Sequence, residues 1–305
     1  MIVLQNKYNN FTDFTFKLFK MAELPVYFSR FSNQMYSNYQ HLWMLVYRQY
    51  RKMTFQELVE DLHANIGLRQ YLALRRVPHY TTLIKFAQKL PEKVLDKLLE
   101  AFTKLVKLSE EIAIDATGMS LDNASAHYCK RLNRKYHKRP FMKLSFVVDV
   151  KHFFVIACKA RKSHQHDVID AQPLLKQALE RCNPKVLYAD RGYDDQKFFD
   201  MIANETQIYP LILQKNIDVP AHRRAGFFRK HFWKTFDYGL YGNRSSSETT
   251  NSIVKRRFGS SILAKSESMQ QFDAFLRVIA FNIDRAMRLG YNVTFKIFLI
   301  LRVSY

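Results

Sequence analysis

Apolar positions change their period near residue 110, and the change splits the chain into two regimes. Residues 22 to about 108 carry helical spacing. In "TFQELVEDLHANIG", Phe55, Leu58, Val59 and Leu62 form an apolar stripe. Thr54 and Glu57 stand in capping-box spacing ahead of it, and Gly67 is read as the stop. "VPHYTTLIKFAQKLP" predicts a turn at Pro78, a cap at Thr81, and a helix with Leu83, Ile84 and Ala87 on one face before Pro91. "EKVLDKLLEAFTKLVKL" predicts a third amphipathic helix. Two short helices around a turn read either as a helix-turn-helix that contacts DNA or as a packing and dimerisation unit. Residues before Met21 show little pattern, which makes Met21 an alternative start.

From 111 onward, short β-rich runs alternate with helices. "EIAIDATG" reads as a strand ending on Asp115. "FMKLSFVVDV" and "HFFVIACKA" meet at Lys151 as a hairpin, "KVLYAD" is a strand ending on Asp190, and "TQIYPLIL" is a fifth strand. "HDVIDAQPLLKQALERC", with Pro173 in its first turns, and "DDQKFFDMIANE" are helices, and residues 212–240 read as irregular and basic. "MQQFDAFLRVIAFNIDRAMRLG" is a long amphipathic helix with Phe272, Phe275, Leu276, Ile279 and Ile283 inward. This order predicts an α/β fold, a mixed five-stranded sheet flanked by helices and preceded by an all-α N-terminal domain. The expected division is a helical domain over 1–108 and an α/β domain over 109–305 that keeps the C-terminal helix.

Composition narrows the partner. Lys and Arg number 48 against 27 Asp and Glu, a formal charge of +21. Such an excess implies a polyanion, nucleic acid first and an anionic membrane second. Cys129, Cys158 and Cys182 are scattered with no C-x-x-C spacing, which suits a reducing compartment and neither a disulfide framework nor a zinc site. The first residues lack the pattern of a signal peptide, and "VTFKIFLILRV" is too short to span a bilayer and is interrupted by Lys296. The expectation is a cytoplasmic protein with no membrane partner.

Asp115 and Asp190 each close an apolar run, and in open α/β sheets the carboxyl ends of strands line the ligand crevice. One such aspartate is commonly a cap or a turn former, whereas two with the same placement and a helical glutamate favour a site. That glutamate lies in "YGNRSSSETTNSIVKRRFG", residues 241–259. At about 100° per residue, Tyr241, Arg244, Glu248 and Lys255 fall within roughly 60° of one helical face. Asn251 borders the stripe, and Thr250, Ile253 and Val254 lie opposite, where they can pack on the sheet. Arg244 to Lys255 rises roughly 16 Å, enough to follow several phosphates with a carboxylate in the middle.

The spacing Y-x2-R-x3-E-x6-K resembles the signature around the last acidic residue of DDE-type insertion-sequence transposases. "AIDATG" and "YADRGYDD" look like the segments around that family's first and second aspartates, and the resemblance covers residues about 111 to 258. It implies a ribonuclease H-like core with Asp115, Asp190 and Glu248 as the catalytic, metal-binding triad. One departure is Ala116, where the family often has Ser after the first Asp. The family's chemistry implies two Mg²⁺ or Mn²⁺ ions, with Asp115 shared between them and Asp190 and Glu248 each completing one. It further implies cleavage at the ends of the element itself, then attack of the released 3′-hydroxyl on target DNA. Partners would be double-stranded DNA, both terminal inverted repeats and target, and a second copy of the chain on the nucleoid of a prokaryotic cell.

Further residues are weighed around this centre. Tyr241, Arg244, Asn251 and Lys255 are read as DNA-contacting. So is the basic run 130–140, "KRLNRKYHKRP", through Lys130, Arg131, Arg134 and Lys135. "HRRAGFFRKHFWK" (222–234) either presents an aromatic to DNA or fills a satellite core. Asp149 is read as a turn former, Asp194 and Asp195 as caps, and His164 and His166 as a helix opening rather than metal ligands. The alternatives are a metal-dependent nuclease or resolvase without strand transfer, and a non-catalytic DNA-binding derivative. An aspartyl phosphatase is disfavoured, because Thr117 stands where its second acid belongs.

Overall fold

The computed structural model describes residues 7–29, 31, 34–121, 141–162, 165–215, 218–220, 223 and 226–291. The chain divides into two compact units. One is formed by the chain up to Val106 with the segment from Lys265 onward, the other by Lys107–Ala264.

In the helical unit, Lys7–Met21, Asn38–Arg51, Phe55–Ala64, Ile66–Tyr71, Tyr80–Lys89, Glu92–Leu105 and Glu267–Arg288 are helices. The first of them overturns the impression that residues before 21 are unpatterned. Phe11, Phe14, Phe16, Leu18 and Phe19 are buried, and an aromatic-rich helix carrying this much apolar surface hides its period because several faces are apolar. The capping box at Thr54 forms as expected, with Glu57 N–H donating to Thr54 and Thr54 N–H to Glu57. The stop, however, is Asn65. Its side chain also caps the next short helix, and Gly67 lies inside that helix. His79, and not Thr81, caps Tyr80–Lys89. Residues 65–79, with a short helix among them, separate Phe55–Ala64 from Tyr80–Lys89, a much longer connection than the turn of a helix-turn-helix.

The long helix Glu267–Arg288 packs within this unit. Its inward positions Phe272, Phe275, Leu276, Ile279 and Ile283 are buried as expected, and so are Asp273 and Arg277. Asp273 is ion-paired with Arg48, and Arg277 Nε donates to Gln49 Oε1 at 3.2 Å. Burial on two sides suits a helix enclosed by other helices. Amphipathic period identifies an inward face without naming what covers it, so the expected 109–305 grouping gives way here.

The second unit holds the five strands β1 (Glu111–Ser120), β2 (Phe141–Asp149), β3 (Val155–Arg161), β4 (Val186–Ala189) and β5 (Tyr209–Ile212), in the spatial order β3-β2-β1-β4-β5. β1, β2 and β3 pair antiparallel, while β4 and β5 join parallel to β1. This is the mixed, ribonuclease H-like sheet that was expected. Helices Val168–Leu179 and Gln196–Glu205 cover one face, where Ile112, Ile114, Val147, Ile156, Leu187 and Ala189 join Leu174, Leu175, Phe198 and Ile202 in one apolar cluster. Asp149 acts at the hairpin as foreseen, buried and accepting the His152 N–H at 2.5 Å. Within the stretch read as irregular, the described residues include the helices Phe227–Lys234 and Tyr238–Tyr241. Phe228 and Phe232 pack against the apolar cluster, the satellite-core reading, whereas Phe227 is 77% exposed.

Candidate active site

Asp115 stands in the middle of β1, five residues short of the strand's end, and not at the end as the apolar run implied. The effect on geometry is small, because β4 stops where Asp115 begins. The parallel register runs to Ile114↔Ala189, so Asp115 and Asp190 follow the last paired residues side by side. Neighbouring strands are about 4.8 Å apart, which brings the two carboxyl groups into one place. β1 continues because β2 pairs with it on the other side, Asp115 opposite Phe146.

Alternation along β1 sends Ile112 and Ile114 to the face covered by helices, and Glu111, Ala113 and Asp115 to the other. On that second face lies the helix Ser245–Phe258, reached through the turn Gly242–Arg244. Thr250 and Val254 are fully buried and Ile253 is half-buried, close to the packing face expected. A stripe with a spacing of four residues docks the helix. Asn243 donates to Glu111 Oε2 at 3.3 Å, Ser247 Oγ to Asp115 Oδ2 at 3.4 Å, and Asn251 Nδ2 to Asp115 Oδ2 at 2.8 Å. Ser247 was not singled out from sequence. Its offset of four from Asn243 and Asn251 was the available signal.

Glu248 projects from this helix and is ion-paired with Arg244, Oε1 to the guanidinium at 2.6 Å. Arg244 in turn lies 5.9 Å from the Tyr241 ring centroid, within cation–π range. Tyr241, Arg244 and Glu248 therefore form one contiguous group, as their spacing foretold. Lys255 is half-buried one turn beyond Asn251. Lys130, Arg131, Arg134 and Lys135 lie outside the described residues, as does His164.

Asp190 caps the turn Arg191–Tyr193, accepting the Gly192 N–H at 2.7 Å. Asp195 caps Gln196–Glu205 as expected. Asp194 does not; its side chain is buried and clasped by Arg229, with Nε to Oδ1 at 2.6 Å, and it accepts the Lys215 N–H. A strand-end acid followed by D-D offers several caps, and only the position of Arg229 decides which one is taken.

The electrostatics of the three acids are linked. Burial pushes Asp115 up to about 6; the Ala116 N–H holds it down in part, and the charges of Asp190 and Glu248 raise it while Arg244 lowers it. Beneath them Tyr193 is fully buried, and burial together with the charges of Asp167, Asp115 and Asp190 pushes its hydroxyl well above the usual range. Among the described residues, no three His, Cys, Asp or Glu side chains are close enough to enclose an ion as placed. The donor set nonetheless fits one. Hard carboxylate oxygens that repel one another suit Mg²⁺ or Mn²⁺. In addition, Asn251 Oδ1 is buried beside Asp115 without a partner among the described residues.

Comparison with known proteins agrees with this architecture. No curated protein matches the chain. Among solved structures it is similar to a piggyBac transposase, determined by cryo-electron microscopy in a synaptic complex with hairpin DNA. The TM-score is 0.50 and the identity 9%, over 96% of this chain and 78% of that one, a likeness of fold. The family description "Transposase DDE domain" matches residues 107–283, a span that contains the sheet, both strand aspartates and the whole helix bearing Glu248. Matched over more than half of its length, the chain belongs to the DDE-domain transposase family.

Proposed function

We propose that the protein cuts DNA at the ends of its own insertion sequence and joins the freed 3′-hydroxyl to target DNA, with Asp115, Asp190 and Glu248 as its acidic triad. The observation that carries this reading is the β1–β4 register, which sets Asp115 beside Asp190 under a helix bearing Glu248. Divalent cations, two in number, would be held by these carboxylates and would supply charge stabilisation for the attacking and departing oxygens. Asp115 and Asp190 provide a fixed pair, held by the Ala116 and Gly192 N–H groups. Glu248 enters by releasing Arg244, a change of rotamer on an exposed side chain. Arg244, so released, is free to take a phosphate, with Lys255 further along the same helix and Tyr241 packed beside it. The charge of +21 supports a DNA partner, and holding two element ends at once calls for two copies of the chain.

The test uses end-labelled duplex taken from the DNA flanking the coding sequence, with Mg²⁺. Nicks at the element ends followed by joined products support the full reading. Nicks without joining would leave a nuclease. Cutting that survives Asp115→Asn, in a variant that still binds DNA, would overturn the assignment of the triad.

A further inference from the structure

Asn251 does more than border a DNA-facing stripe. Its Nδ2 donates to Asp115 Oδ2 at 2.8 Å, across 136 residues of sequence, while Ser247 reaches the same oxygen at 3.4 Å. The other carboxylate oxygen, Oδ1, is fixed by the Ala116 N–H at 2.8 Å. Asp115 is therefore held at both oxygens, by its own strand and by the helix that carries Glu248. Of the side-chain donors from that helix, Asn251 makes the shorter bond, and it stands three residues beyond Glu248 on a neighbouring line of the surface. Its carbonyl oxygen is buried, with no partner among the described residues. A buried acceptor of this kind is costly to leave unsatisfied. The acceptor belongs to the side chain whose Nδ2 holds Asp115, so a donor that meets it stands beside that carboxylate.

We propose that Asn251 is a positioning residue that sets the distance between the first and third acids of the site, and that its Oδ1 accepts from a water brought in with the divalent cation. The proposal rests on the triad reading above. Ser247 assists from the preceding turn, but it also donates to the Arg244 carbonyl at 2.9 Å, which ties it to the helix backbone. Asn251 has no such second duty in the bonds described.

The test uses the full chain with Asn251→Ser and Asn251→Leu, and Mn²⁺ as the probe. Mn²⁺ affinity is read without DNA by electron paramagnetic resonance, folding by circular dichroism, and cutting on the labelled end duplex. Residues that orient metal-binding carboxylates typically change metal affinity by about 10–100-fold when replaced. Weakening of Mn²⁺ binding by about tenfold or more in the folded Ser variant is the expected result. Mn²⁺ affinity of that variant within about twofold of the parent protein overturns the proposal. Should the Leu variant fail to fold, the Ser variant decides alone. Asn251→Asp adds a carboxylate against Asp115, so Mn²⁺ should raise its Tm by more than it raises the parent's, and an equal or smaller gain counts against the proposal. Asp115→Asn separates the two levels. If it binds Mn²⁺ and cuts normally, the triad reading itself fails. If it is inert while Asn251→Ser behaves as the parent, only the positioning role falls.

Discussion

Gly192→Ala separates catalytic geometry from stability better than any change to an acid. Gly192 sits in the turn that follows Asp190, and its backbone is not in the left-handed region, so alanine can adopt the same backbone conformation. A Cβ at this position would lie 2.9 Å from Asp190 Oδ1 and 3.5 Å from Asp167 Oδ2. Carbon–oxygen contacts of this type settle at about 3.3 Å or more, so the Asp190 carboxylate must retreat by about 0.4 Å or rotate. The fold yields cheaply, since only the end of one side chain moves. Weakening the Gly192 N–H bond costs about 1 kcal/mol, and the stiffer unfolded chain returns about 0.4–1 kcal/mol. Stability should therefore change by less than about 1 kcal/mol. Cutting should not be so tolerant. Misplacing a reacting group by about 1 Å can cost on the order of 100-fold, and a shift of about half that size implies roughly tenfold. Urea unfolding and single-turnover cutting of the end duplex measure the two quantities. Cutting within about twofold of the parent protein would refute the role given to Asp190, and a large loss of stability would refute the account of the turn.

Three further outcomes follow from charges inside the molecule. Burial raises Asp115 from 3.8 to about 6, so its contribution to stability is fully present below pH 3.8 and is lost as pH rises through 6. Asp115→Asn should then make the metal-free protein more stable at pH 8, by roughly 3 kcal/mol at most, with the gap narrowing in saturating Mg²⁺; a less stable variant at pH 8 would contradict this. Burial lowers His41 from 6.5 to about 4, against a partly opposing pull from the Ser37 backbone. The neutral imidazole therefore stabilises fully above pH 6.5, and up to roughly 3 kcal/mol is lost as pH falls from 6.5 to 4. His41→Phe should lack that part of the pH dependence in urea titrations. Arg229→Ala leaves the buried Asp194 side chain without its cation and should cost about 3–5 kcal/mol, whereas Asp194→Asn should cost less.

The candidate site was legible in the sequence to the degree that its information is local. Helical angle alone grouped Tyr241, Arg244 and Glu248, because a fixed rise and turn convert spacing into direction without any tertiary contact. Alternation and apolar runs gave the five strands, and the hairpin followed from the short gap at Lys151. Local signals ran out where several groups compete for one role. Thr81 and His79 both suit a cap, as do Asp194 and Asp195, and only the surroundings choose between them. The basic segment 212–240 looked irregular because the helices described in it are short, and Phe228 and Phe232 find their apolar partners elsewhere in the chain.

By itself the chain determined that a mixed sheet flanked by helices would form, that its charge called for a polyanion, and that a glutamate would share a helical face with an arginine and a tyrosine. Tertiary structure alone decided three other matters. It placed Asp115 in mid-strand yet level with Asp190, it gave Asp115 to Ser247 and Asn251, and it grouped Glu267–Arg288 with the N-terminal helices. The physical reason is one of range. Backbone periodicity acts over a few residues and can be read in one dimension, whereas register, side-chain partners and the covering of an apolar face are set by segments far apart in the chain.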